Sequence, residues 1–139
     1  MSESGTRDFI AALFDTYRQR DLNGFGALIH KDIDWIIHGP IEVFPFAGLR
    51  RGRPAVLQAL SMMSLSYSLD IYEPDFVIVE GDRAAIMADI GLTQRASGRL
   101  LRFRAANFLR VQDGRLIEFR EFADSFDQVE QALGRIVEL

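Results

Sequence analysis

SLDIYEPDFVIVEGDRAAIMADIGLTQRASGRLLRFRAANFLRVQDGRLIEFREFA, residues 68–123, decides the fold. It divides at Gly81-Asp82, Ser97-Gly98 and Asp113-Gly114 into four runs, approximately 68–79, 83–96, 99–111 and 115–123, each rich in aromatic, aliphatic and β-branched residues. Tight turns between consecutive runs imply an antiparallel meander. The first three runs, at 12 to 14 residues, exceed the usual strand length of about 5 to 6, so the sheet must curl strongly. A curled sheet has a concave face, and concave interiors are where small ligands bind.

Upstream, the grammar is helical. Phe9, Ile10, Leu13, Phe14 and Tyr17 fall at helical spacing after Thr6, a residue able to cap, and predict an amphipathic helix over about 7–20. Asp21 opens a shorter helix carrying Leu22, Phe25, Leu28 and Ile29, weakened by Gly24 and Gly26. Asp32 to His38 reads as a first strand that runs into the shaped loop GPIEVFPFAGLRRG, residues 39–52. Pro54 begins a third helix through Val56, Leu57, Leu60 and Met63, and Ser125 with Gln128 is a capping-box signature for a last one. The expected fold is α+β, one domain over 1–139, with three helices in the N-terminal half and a mostly antiparallel sheet wrapped around them.

A chain of 139 residues, 48% hydrophobic, can bury a continuous core. The absence of cysteine removes disulfides and thiolate chemistry, and with no apolar run of about 18 residues and no secretory pattern the expectation is a cytoplasmic protein without a membrane role. A net charge of -4 argues against a nucleic-acid partner. His30 and His38 are the only histidines and lack metal-ligand spacing, and no phosphate loop or nucleophile elbow is present. The chemistry expected is therefore free of metal and cofactor.

Strand alternation sorts the side chains into faces. In the last run Ile117, Phe119, Glu121 and Ala123 share a face, which places the Glu121 carboxyl among hydrocarbons. There it must be paired, hydrogen-bonded or protonated. In the run before, Asn107 shares a face with Leu101, Phe103, Ala105 and Leu109. Asn107 either ties strands together or donates to a developing oxyanion. Asp89 shares a side with Met87 in a run whose two faces are both largely apolar, and it either faces solvent or a dimer partner or serves as a base. His38, beside a Gly-Pro loop, is either a structural hydrogen-bonding residue or a proton carrier. Tyr17, Trp35, Phe44, Phe46, Met87, Phe103 and Phe119 form the expected apolar wall, Tyr17 bringing a phenolic donor as well.

DWIIHGPIEVFPFAGLRRGRPAVLQAL and VQDGRLIEFREFADSF resemble the strand, Gly-Pro loop and final hairpin of SnoaL-like proteins, relatives of ketosteroid isomerase with the nuclear transport factor 2-like fold. The likeness spans roughly residues 7–130. It implies a cone-shaped α+β barrel with a small-molecule pocket, and a homodimer formed through the outer sheet face. It places Asn107 where ketosteroid isomerase has its protonated Asp, and Glu121 where limonene epoxide hydrolase has a pocket Asp. Asp89 falls at that hydrolase's second catalytic Asp, but Met87 stands where the hydrolase has Arg. These departures carry the fold across further than either reaction.

Two functions are compatible with this reading. One is a cofactor-independent enzyme acting on a small apolar molecule by proton transfer (isomerisation, cyclisation, dehydration or hydration), with Glu121 as acid/base, Asp89 or His38 as its partner and Asn107 as polariser. The other is a non-catalytic module that holds a ligand or associates through its sheet. Glu121 and Asp89 in one cavity would favour the first; on opposite faces of the sheet they cannot act as a pair.

Overall fold

The structure, a computed structural model, describes residues 1–139. Its elements run α1 (Glu3–Arg18), α2 (Leu22–Ala27), β1 (Ile29–Ile37), β2 (Gly48–Arg51), α3 (Arg53–Ser66), β3 (Tyr67–Glu80), β4 (Arg83–Gln94), β5 (Leu100–Gln112), β6 (Arg115–Ala123) and α4 (Ser125–Leu133). The strands form one curved sheet in the order β2-β1-β6-β5-β4-β3, antiparallel throughout except between β1 and β6. β1 pairs parallel to β6 because the whole of β2, α3 and the meander intervenes, which is ample chain for the crossover a parallel partner needs. Register shifts at Leu69/Ile71 and Pro74/Phe76 bend β3, the longest strand, as bulges do.

The core lies between the concave face and the helices. Phe9, Ile10, Leu13 and Phe14 of α1 join Val56 and Leu60 of α3, and Ile86, Ala88, Leu101 and Leu109 of the sheet, in one continuous cluster. The Asp113-Gly114 turn has positive φ at both positions, 53° and 71°, the geometry that lets a two-residue hairpin follow the sheet's twist. No helix is long and apolar enough to cross a membrane.

Three local expectations are corrected. The loop 39–52 contains the edge strand β2, four residues bracketed by Gly48 and Gly52 at φ 92° and 86° and paired with Asp34–Ile37. So short a strand, with arginines at Arg50 and Arg51, carries no alternation to detect. α1 begins earlier than expected: Ser2 is its cap, its hydroxyl accepting from the Gly5 amide, while Thr6 is buried inside the helix and donates to the Gly81 carbonyl at 2.6 Å. α4 is capped by Asp124, not Ser125, its carboxylate accepting from the Asp127 amide at 3.1 Å. That shift by one residue takes Gln128 out of the cap.

Candidate functional site

The concave face and the helices enclose a cavity of about 50 Å³ whose lining is almost wholly apolar. Tyr17 of α1, Trp35 of β1, Phe44 and Phe46 of the loop, Phe103 of β5, and Phe119 and Glu121 of β6 all line it. Trp35 stacks on its parallel-strand neighbour Phe119 at 4.2 Å, and the ring of Phe14 stacks on Tyr72 at 4.6 Å. These contacts make the wall stiff.

Glu121 is the only ionisable carboxyl in that lining, and no cation pairs with it. Burial pushes its pKa up, opposed in part by the hydrogen bond it receives from Asn107. Asn107 Nδ2 donates to Glu121 Oε1 at 3.0 Å, across the pair that β5 and β6 form at these two residues. The Tyr72 hydroxyl, reaching from β3 past β4, donates to Asn107 Oδ1 at 2.7 Å. The chain Tyr72–Asn107–Glu121 thus holds one carboxyl oxygen and leaves Oε2 without a protein partner.

Two donors in the same lining are also uncommitted. The Tyr17 hydroxyl has no hydrogen-bond partner, and its pKa is held well above the ordinary phenol value by burial and then by the nearby Glu121 charge, so it stays an O–H donor. Trp35 Nε1 is buried with no acceptor. A buried donor left unpaired costs about 1–3 kcal/mol, a cost a ligand oxygen would remove.

The remaining expected residues take different places around this centre. Asn107 is fully buried with both ends of its amide engaged, Oδ1 by Tyr72 and Nδ2 by Glu121, and it lies behind Glu121, outside the cavity lining. Asp89 is on the outer face, paired with Arg102 at 2.7 Å. The inward side of β4 is Ala84, Ile86, Ala88 and Ile90, and the even spacing of those buried residues turns Asp89 and Met87 outward together. Glu121 and Asp89 therefore cannot form an acid/base pair, and Met87 is no part of the wall. His38 borders the cavity where β1 gives way to the loop, but its ring stacks at 4.2 Å on Phe122, which projects to the opposite side of β6 from Glu121. No hydrogen bond joins its ring to that carboxyl.

Two polar lining residues, Tyr72 and Gln128, were not read from the sequence as part of the site. Tyr72 belongs to a strand without clean alternation, its burial sequence interrupted by bulges. Gln128 reads as a capping partner only while Ser125 is taken for the cap; with Asp124 in that role its amide reaches the cavity. No cluster of three or more His, Cys, Asp or Glu side chains suited to a metal ion occurs.

Residues 10–119 match the model of the SnoaL-like domain. The chain belongs to the SnoaL-like family. A candidate isomerase from Rhodopseudomonas palustris is 38% identical and superposes with a TM-score of 0.84, over 97% of this chain and 100% of the other. TerC, solved with polyporic acid, shares the fold at 17% identity and a TM-score of 0.80, over 93% and 98% of the two chains. An LEH-like epoxide hydrolase of Mycobacterium tuberculosis does so at 15% and 0.77, over 95% and 92%. No curated protein sequence matches. This α+β architecture thus persists through wide divergence in sequence.

Proposed function

We propose that this SnoaL-like protein is a cofactor-independent isomerase in which Glu121 moves a proton between two positions of a small, largely apolar carbonyl compound. The observation that carries this reading is Glu121 itself: a carboxyl with no counter-ion, one oxygen held by Asn107 and the other free toward an apolar cavity. A single carboxyl without a partner acid suits a reaction in which one group takes a proton and returns it elsewhere. Oε2 would accept the proton α to the carbonyl as that C–H bond breaks, the electron pair passing to the carbonyl oxygen. Tyr17 O–H or Trp35 Nε1–H would stabilise the resulting enolate oxygen, and the proton would return to a second carbon. The 38% identical candidate isomerase agrees with this choice among the family's reactions.

The test uses cyclohex-3-en-1-one in D₂O, following conjugation by ultraviolet absorbance and deuterium uptake by NMR. Wild type should catalyse both, and Glu121→Gln should slow them by about 10²-fold or more. Equal rates in the two proteins would overturn the assignment. Exchange no faster than in buffer, over a panel of small cyclic ketones, would leave the cavity as a binding site without chemistry.

We also propose that the protein is a homodimer through the outer sheet face. Phe76, Met87, Ala106 and Phe122 form one row across four strands, with Ile78, Ala85 and Phe108 in the row beside it. Phe76, Ile78, Phe108 and Phe122 are each about half exposed, at 51%, 59%, 47% and 46%. An apolar surface of this continuity suits a second copy of itself. Sedimentation at micromolar concentration should show a dimer that Phe108→Asp dissociates; a monomeric wild type would refute it.

A further inference from the structure

A second and larger cavity, about 330 Å³, opens between the C-terminal end of α1, α2, α3 and the start of β3. Tyr17, Phe25, Met63 and Leu69 wall both cavities, so the outer one adjoins the Glu121 chamber across these side chains. The inner chamber, at about 50 Å³, has room for a few atoms only, whereas a site for a small organic ligand occupies about 300–1,000 Å³. A ligand whose reacting end reaches Glu121 therefore needs room for its body beyond the inner chamber, and the outer cavity adjoins it.

The outer cavity differs in charge. Arg20 and Arg95 both line it, with Asp21 as the only carboxylate in its wall. The Asp21 carboxylate is occupied, accepting from the Gly24 amide at 2.8 Å as the cap of α2. Arg20 is also committed: it donates to Ser68 Oγ and the Leu69 carbonyl, and lies 3.6 Å from Asp70, itself bonded by Thr93 and Ser68. Arg95 is not. Its Nε donates to the Ser64 carbonyl at 2.9 Å, which leaves both terminal nitrogens free; no carboxylate forms a direct ion pair with it, and Asp70, whose pKa its charge helps to lower, is already hydrogen-bonded by Thr93 and Ser68. One anchored guanidinium with its fork unoccupied, beside a second that is already neutralised, suits a monoanion.

We propose that the outer cavity binds the carboxylate end of a small organic acid at Arg95, with the acid's apolar body directed past Tyr17 and Met63 toward Glu121. The two ends of the molecule are sorted by electrostatics. A second carboxylate in the apolar chamber beside Glu121 would be desolvated and repelled, whereas at the rim it keeps water and gains a bidentate partner. The substrate class implied is a keto acid or unsaturated acid with an apolar middle. This inference rests on the reading of Glu121 as the reacting group only for which end of the ligand points inward; the anion site stands or falls separately.

Trp35 is the only tryptophan and lines the inner chamber, so its fluorescence reports entry of the apolar end. The probes are 4-phenylbutanoate and its neutral isostere 4-phenylbutanamide, titrated against the wild-type protein at low salt. The acid should bind about 10-fold tighter than the amide. Arg95→Gln should erase that preference while leaving amide affinity unchanged, which also shows that the variant is folded, and Arg95→Lys should restore part of it. Equal binding of acid and amide by wild type, a preference that survives in Arg95→Gln, or no binding of either at millimolar concentration would each overturn the proposal. Glu121→Gln keeps the preference if the anion site is real. An inactive Arg95-dependent binder and an active protein blind to charge are thus distinguishable failures.

Discussion

The two faces of this sheet handle carboxylates in opposite ways. On the convex side Asp89 meets Arg102, Asp75 meets Arg104 and Asp34 meets Arg120, each pair at least partly solvated. On the concave side Glu121 has an amide and no cation. The convex acids are neutralised by neighbours that water would screen in any case, so their charge does little. The concave acid keeps an unspent proton affinity because its surroundings cannot stabilise the charged form. The environment of a carboxyl in this protein is a property of the face, set by a period of two along each strand, and not of the residue type.

The strongest way to break that contrast is to neutralise one carboxyl on each face. Glu121→Gln should lower turnover by about 10² to 10⁴-fold, the range proton transfer contributes. Asp89→Asn should change it by less than about threefold. The measurement is initial rate on the same substrate under saturating conditions, and a comparable loss from both substitutions would mean that the face does not decide.

A smaller effect tests the hydrogen-bonded support. Asn107→Ala leaves the Tyr72 hydroxyl and the held oxygen of Glu121 without their partner in a fully buried position. Each orphaned buried group costs about 1–3 kcal/mol, so a loss of about 2–4 kcal/mol in denaturant unfolding is expected. Tyr72→Phe removes one bond and should cost about half as much. If Asn107→Ala were neutral, the chain Tyr72–Asn107–Glu121 would not be supporting the carboxyl.

Glu121 and Asn107 were legible in the sequence because β5 and β6 alternate cleanly, and a polar residue on the apolar side of such a strand stands out. Asp89 was left open between the two faces for the converse reason. In β4 small apolar residues fill both sides, Ala84, Ile86 and Ala88 inward and Ala85 and Met87 outward, so alternation alone does not say which side is which. Family resemblance then supplied an answer that the geometry does not support. Tyr72 and Gln128 were hidden differently: bulges in β3 break the period, and a cap displaced by one residue reassigns a side chain. The outer cavity, built from α1, α2, α3 and the start of β3, has no local signature at all, since its two arginines lie 75 positions apart in the chain.

The contrast between faces also has a pH signature. Burial raises the Glu121 pKa, so the native state holds that proton more tightly than the unfolded chain does. Between the ordinary carboxyl value and the raised one, the native state carries more protons. Stability therefore falls as pH rises through that window, by at most about 1.4 kcal/mol per pH unit, and then levels off. Glu121→Gln should flatten this segment, so its stability relative to wild type should grow with pH. Asp70 on the exposed side has the reverse sign: hydrogen bonding from Thr93 holds its pKa low, and its contribution is lost as pH falls. Relative to wild type, Glu121→Gln should gain stability as pH rises above the ordinary carboxyl value, and Asp70→Asn should lose stability as pH rises toward that value from below; unfolding curves across about pH 2 to 9 check both signs.

The smallest effect belongs to the convex face alone. Arg102 and Asp89 are 50% and 32% exposed in their side chains, and a pair of that exposure contributes about 0–1 kcal/mol. A double-mutant cycle on Arg102→Gln and Asp89→Asn should give a coupling below about 1 kcal/mol that vanishes near 1 M salt, where the screening length is about 3 Å. Dimerisation sharpens the expectation. If a second copy covers this face, the pair is dried on assembly, and its coupling should rise with protein concentration and resist salt. A coupling that is the same at nanomolar and at high micromolar protein would place the pair outside the buried part of the interface, and confine the contact to the rows through Phe76, Phe108 and Phe122.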